Sequence, residues 1–133
     1  MVRVLLAVTH LGLRAALKED VLPPGDFICG EAAHAEELWD QLAKHEWHVL
    51  VLDVCLPDHT KLQTLRTVHR RYPTLPILPI AISASITEKH WRDAGASGFV
   101  SKVSLNADLD EAVRVLSRGG TYFSDAGRRE TRL

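Results

Sequence analysis

Apolar residues along this chain fall by turns into short continuous runs and into stripes at helical spacing. Residues 2–8 (VRVLLAV) are a largely apolar, β-rich run and predict a first strand. Leu13, Ala16 and Leu17 then recur at helical spacing, predicting a short helix that stops before Pro23-Pro24-Gly25. Residues 27–30 (FICG) predict a brief second strand at an edge. A second helix places Ala35, Leu38, Trp39 and Leu42 on one stripe, with Glu36, Glu37, Asp40 and Lys44 opposite. Val49-Leu50-Val51-Leu52-Asp53 is the run around which the rest is arranged. Four apolar β-formers followed at once by a carboxylate predict a strand buried on both faces whose acid emerges at its end.

Beyond a loop broken by Pro57, Leu62, Leu65, Val68 and Tyr72 point inward from a third helix that Pro73 closes. A fourth strand lies within residues 76–83 (PILPIAIS). Pro79 removes a ladder donor there, so the paired part is expected over residues 80–82, or the strand carries a bulge. Ser85-Ile86-Thr87-Glu88 has the form of a capping box and predicts a short fourth helix ending at Ala94-Gly95. Residues 98–101 (GFVS) predict a fifth strand with Lys102 at its exit. Leu109, Ala112, Val113 and Leu116 follow the i, i+3, i+4, i+7 spacing of a fifth helix, with Asn106 as its expected N-cap and Gly119-Gly120 as its stop. Residues 124–133 are polar, carry paired arginines and read as a frayed tail or the start of a linker.

Five strands alternating with five helices predict an α/β domain, a single doubly wound five-stranded parallel sheet over residues 1–123. The 133 residues fit one such domain. A formal net charge of −1 gives no electrostatic case for direct binding to nucleic acid or membrane. No apolar run approaches the roughly 20 residues of a bilayer span, and the first residues lack a signal-peptide pattern. Cys29 and Cys55 are too few for a disulfide framework and suit a reducing, cytoplasmic setting as small core residues. His45 and His48 flank Trp47 at a spacing that could hold a metal, but no third ligand is near in sequence, so packing explains them better.

In a doubly wound sheet the carboxyl ends of adjacent strands meet in one crevice. Strand 1 brings Val8, Thr9 and His10 there, strand 3 Asp53, strand 4 a serine near Ser83, and strand 5 Lys102. A carboxylate, a hydroxyl and an ammonium at three strand ends suit phosphoryl chemistry, the first as nucleophile and the others as holders of phosphoryl oxygens. The chain here resembles the receiver domains of two-component response regulators, especially those joined to LuxR-type helix-turn-helix output domains. The matching stretches are VLVLDVCLP (residues 49–57), DAGASGFVSK (93–102) and GGTYFS (119–124), together with VRVLLAVTH at the start in all but its acids. The resemblance implies a flavodoxin-like fold with strand order 2-1-3-4-5. It implies a signalling module rather than an enzyme, phosphorylated at Asp53 by a histidine kinase, with Lys102 contacting the phosphate. The Cys55 backbone carbonyl would face Mg²⁺. Phe99 takes the aromatic position that such domains reorient on activation. The switch hydroxyl falls at Ser83 when Ser83-Ala84 is matched to the family's Ser/Thr-Ala ending, or its place is taken by Ala81 when residues are counted from Tyr72-Pro73.

Two departures stand out. Receivers end strand 1 with two acids that anchor Mg²⁺, and Val8 and Thr9 occupy those positions. Mg²⁺ takes hard oxygen ligands, so its binding is expected to be weak or absent and phosphorylation of Asp53 slow or lost. Lys61 also replaces a glycine common after the loop. The expectation is therefore an atypical receiver of a transcriptional regulator, with a possible homodimer and with DNA reached only through an output domain outside these residues. The alternative is a phosphorylation-independent pseudo-receiver acting through protein contacts. A small phosphatase or flavodoxin-like carrier would need a phosphate loop after strand 1, where Thr9-His10-Leu11-Gly12 makes a poor cradle.

Overall fold

The apolar runs assemble into a parallel sheet of six strands, in a computed structural model that describes residues 1–54, 62–82 and 86–124. The strands are β1 (Val2–Ala7), β2 (Phe27–Ala32), β3 (Val49–Asp53), β4 (Ile77–Ala81), β5 (Gly98–Ser101) and β6 (Tyr122–Ser124), in the order β2-β1-β3-β4-β5-β6. The helices are α1 (Leu11–Ala16), α2 (Ala35–Lys44), α3 (Gln63–Arg71), α4 (Glu88–Ala94) and α5 (Leu105–Ser117). A π-helical turn, Leu17–Val21, extends α1, and a 3₁₀ turn, Lys102–Ser104, joins β5 to α5. The period-2 alternation of each strand sorts its side chains between two cores. Leu50 and Leu52 face the layer of α2, α3 and α4, whereas Val49 and Val51 face α1 and α5. That double burial is why β3 reads as an unbroken apolar run.

The expected five strands are corrected to six. From the sequence Tyr122 and Phe123 fall in no element and Ser124 falls in the tail, but Tyr122–Ser124 pair in parallel beside β5, Phe99 opposite Phe123. Gly98 permits the approach, since a Cβ there would run into the Tyr122 carbonyl oxygen. Two aromatics fix β6 on both faces: Phe123 is buried with α4 and Tyr122 packs toward α5.

β4 also differs from expectation. Its paired part starts at Ile77, before the proline, and Pro79 lies opposite Leu52 of β3. The physical reason is the direction of the missing N–H. The Pro76 and Ile80 carbonyls accept from β3 (Leu50 and Val54 N–H, 3.0 and 3.3 Å), while that of Ile77 accepts from Ser97 on the β5 side. Pro79 shares the parity of Ile77, so its lost donor faces β5, where the ladder is recorded only at Ile80 and Ala81. The β3 side is intact.

Two helix starts shift as well. Thr87, not Ser85, is the N-cap of α4, its side chain accepting from the His90 N–H at 3.3 Å. Gly95 ends α4 in the left-handed region at φ 107°, so the helix is as short as the sequence implied. α5 begins at Leu105 behind the 3₁₀ turn, which places Asn106 inside the helix rather than at its cap. Ser85 lies outside the described residues, as do residues 125–133 of the expected tail.

Candidate functional site

β3 and β5 run in the same direction with β4 between them, so their carboxyl ends open onto one edge. The register sets Asp53 opposite Ile80, Ile80 opposite Val100 and Ala81 opposite Ser101, which brings Lys102 level with the end of β3. The Lys102 ammonium donates to Asp53 Oδ2 at 3.0 Å across 49 residues of sequence. The Asp53 side chain is 4% exposed and that of Lys102 19%. A buried carboxylate without a charged partner costs several kcal/mol of desolvation, so this pairing, with the further contacts Asp53 makes, is what lets an acid end a buried strand. Lys102 is steadied by the turn it begins: Ser101 Oγ accepts from the Val103 N–H at 3.3 Å, and Ser104 Oγ donates to the Ser101 carbonyl at 3.2 Å.

On the other flank β1 and β3 are in register through Ala7 and Leu52, so Val8 and Asp53 are the next residues on their strands. Val8 is wholly buried and packed with the α1 and α5 side chains. Thr9 is exposed. Ala81 closes β4 as a buried residue, and Ile82 just past it is 69% exposed. Ser83, Cys55 and Lys61 lie outside the described residues. Phe99 does not reach the site edge. It is fully buried beneath it, stacked on Trp91 of α4 with centroids 5.1 Å apart and 16° between planes.

The end of β1 carries a cation that sequence reasoning did not single out. Arg14 of α1 donates Nη1 to the carbonyls of Val8 (2.7 Å) and Thr9 (3.2 Å), and Nε to Glu31 Oε1 of β2 (2.8 Å). Lys18 donates to the other Glu31 oxygen at 2.7 Å. Those hydrogen bonds, Lys18 first and then Arg14, hold the Glu31 carboxyl below its ordinary range, and Glu31 in turn raises Lys18. The signal was weak in sequence because Arg14 and Glu31 meet only once β1 and β2 pair in parallel. His10, given no role from the sequence, is the N-cap of α1: its Nδ1 accepts from the Leu13 N–H at 3.0 Å. That engages a donor a phosphate loop would have offered.

The donor set at the described residues does not fit resident Mg²⁺. Val8 offers methyl groups, the described Asp53 oxygen is bonded to an ammonium, and among the described residues no three His, Cys, Asp or Glu side chains gather around a common point. His45 and Trp47 pack edge to face at 5.8 Å, and His48 Nδ1 accepts from the Arg3 N–H at 2.8 Å, so HEWH is a packing element. A groove of about 520 Å³ lined by Leu42, Trp47, Tyr72 and Leu75 lies at the opposite, amino-terminal edge of the sheet and holds none of the expected site residues. Cys29 is half-buried on β2, and burial pushes its thiol up, as for a packing residue.

A parallel doubly wound sheet that brings an acid from its third strand onto a lysine from its fifth defines a receiver-type α/β domain. Residues 4–114 match the family model of the response regulator receiver domain, and the chain belongs to that family. It is 30% identical over 118 residues to a protein-glutamate methylesterase/protein-glutamine glutaminase of Alkalilimnicola ehrlichii, covering 79% of this chain and 29% of that protein. It is 25% identical over 127 residues to the transcriptional regulatory protein DegU of Brevibacillus brevis, covering 92% and 52%. The chain thus spans about half or less of these relatives' lengths. Among solved structures it superposes on the isolated receiver domain of RcsB from Salmonella enterica serovar Typhimurium with a TM-score of 0.85, at 20% identity and full coverage of both. Receiver domains typically bind Mg²⁺ at the phosphorylation site, interact with histidine kinases and are generally not themselves enzymes. No helix among the described residues is long and apolar enough to cross a membrane.

Proposed function

We propose that this receiver domain serves a cytoplasmic transcriptional regulator as an atypical phosphoacceptor module, in which Asp53 is the acceptor position and its phosphorylation is slow or lost. Lys102 is the phosphate-contacting cation, and Ser83 and Phe99 are the switch positions, with Ala81 the competing candidate for the hydroxyl. The Cys55 carbonyl and Asp53 are the remaining metal-facing groups, too few to hold Mg²⁺ firmly. A histidine kinase is the partner on the input side, and DNA is reached through an output domain. The observation that carries this reading is Val8, wholly buried at the end of β1 beside Asp53, where a receiver keeps an acid.

The chemistry follows from charge. An incoming phosphoryl group brings negative charge to a carboxylate that is itself negative, and a divalent cation ordinarily screens both. Here the cations are the Lys102 ammonium, 3.0 Å from Asp53, and the Arg14 guanidinium, which is held on the Val8 and Thr9 carbonyls. Neither replaces a hard divalent ion. Loss of metal-assisted transfer still leaves a folded surface through which the module works by protein contact.

Incubation with a small phosphodonor and Mg²⁺, followed by intact-mass measurement, tests this. The expected result is little or no phosphoryl addition on the timescale on which a complete receiver is labelled in parallel. Prompt stoichiometric addition, lost in Asp53→Ala, would overturn the reading.

A further inference from the structure

α2 and α3 lie side by side on one face of the sheet, their inner residues Leu38, Leu42, Leu65 and Val68 in a common core. Their outer faces carry opposite charge. α2 exposes Glu36, Glu37 and Asp40, with Lys44 at its end; α3 exposes Arg66, Arg70 and Arg71 and has no acid in its nine residues. Neither Arg66 nor Arg70 forms an ion pair with any described residue. Among the described residues Asp40 is paired only within its own helix, to Lys44 at 3.0 Å. Between the stripes Trp39 of α2 is left half-buried, with the Arg71 guanidinium over its ring at 5.1 Å.

Helix dipoles account for part of this, since acids suit the first turn of α2 and arginines the last turn of α3. They do not account for Arg66, which stands i, i+4 from Arg70 as an unrelieved like-charge pair, nor for a tryptophan left open on the seam. Tryptophan and arginine are the residues most often found at the energetic centre of interfaces.

We propose that the α2–α3 face is a docking surface for a second copy of this chain. Both helices return between parallel strands and therefore run in the same direction. A two-fold axis lying in the interface along the helix direction, between α2 and α3, sets α3 of one copy over α2 of the other and parallel to it. Glu36 then faces the partner's Arg66 and Asp40 the partner's Arg70, the acids and the arginines sharing one i, i+4 spacing. The same contacts repeat on the other side of the axis, as an isologous interface requires. An acidic stripe beside a basic one complements itself, which singles out a second copy over a uniformly acidic or basic partner. Two helices of about 15 Å make a patch smaller than the roughly 800 Å² per partner of a standard interface. The dimer is therefore weak and salt-sensitive. This assignment does not rest on the chemistry at Asp53 and stands or falls separately from it.

Sedimentation equilibrium over a concentration series to about 1 mM, at about 50 mM and about 500 mM salt, reads it directly in the unmodified chain. The expected result is a monomer–dimer equilibrium weakened about tenfold or more by the added salt. Arg66→Glu with Arg70→Glu, and separately Glu36→Lys with Asp40→Lys, should each be monomeric while keeping the far-UV spectrum of the parent. An equimolar mixture of the two should associate again, because each now supplies what the other lacks. A parent that stays monomeric throughout, a dimer indifferent to salt, a dimer that survives both charge reversals, or a mixture that stays apart would each overturn the proposal.

Discussion

Glu31 shows how one side chain ties three segments together. Its two oxygens are divided between Arg14 and Lys18, and Arg14 also holds the last carbonyls of β1, so the carboxylate stabilises the turn that flanks Asp53. With Glu31 35% and Lys18 38% exposed, solvent screens the pair, and Glu31→Gln should cost only about 1 kcal/mol at neutral pH. The sign of the pH dependence follows from the depressed Glu31 pKa. In the unfolded chain Glu31 titrates near the usual value of about 4.3, and in the folded chain it holds its charge to lower pH. The contribution is complete above that unfolded value and is lost as pH falls through the lower folded one. Urea denaturation of parent and Glu31→Gln at a series of pH values should show curves that stay apart at pH 6 and converge in acid. A gap that widens toward low pH would contradict the assignment. None of this network was legible in the sequence, because no local spacing links Arg14 to Glu31. The Asp53–Lys102 pairing was legible, because each residue ends its own apolar run and a doubly wound sheet leaves one edge for both.

At the scale of elements, the strands buried on both faces were the easiest to read and the half-exposed pieces the hardest. β3 was read to its exact bounds, and the apolar stripe of α5 matches its buried residues. β6 was missed because three residues after two glycines carry no periodicity of their own; only the unsatisfied edge of β5 gives them a place. Pro79 misled for the opposite reason, since its lost donor matters only on the side that would have used it. β6 is more than an edge cover. Arg92 of α4 lies over the Phe123 ring at 4.4 Å, and the Tyr122 hydroxyl reaches Asp108 of α5 at 3.2 Å. The strand therefore bolts the two helices flanking β5 to each other and covers the edge next to Phe99. Phe123→Ala removes a ring that is 3% exposed, and the expected loss is about 3 kcal/mol. Hydrogen exchange should localise the effect: amides of β5 and α4 lose protection in Phe123→Ala, while those of β1 and β3 keep theirs relative to global unfolding. Uniform loss across the sheet would mean that β6 has no local role.

At the scale of the whole molecule, ligand linkage measures how the edge that carries Val8, Thr9 and Asp53 meets Mg²⁺. A metal bound by the folded state alone, present at one hundred times its Kd, would add about 2.7 kcal/mol, or roughly 10 °C for a domain of this length. With an apolar Val8 buried beside Asp53 and Lys102 on the Asp53 carboxylate, the proposed weak acceptor is expected to show no such gain. Thermal unfolding of the parent should shift by less than about 1 °C between EDTA and about 10 mM MgCl₂. Replacing Val8 and Thr9 together by aspartate reverses the argument. In EDTA the variant should melt below the parent, because Val8→Asp buries a carboxylate beside Asp53 and the like charges repel. Adding Mg²⁺ should then raise its melting temperature by several degrees, the cation relieving that repulsion with oxygen ligands it favours. A parent that gains as much as the variant would mean that the groups already present at this edge suffice for the metal, and the account of Asp53 as a weak acceptor would fail with it.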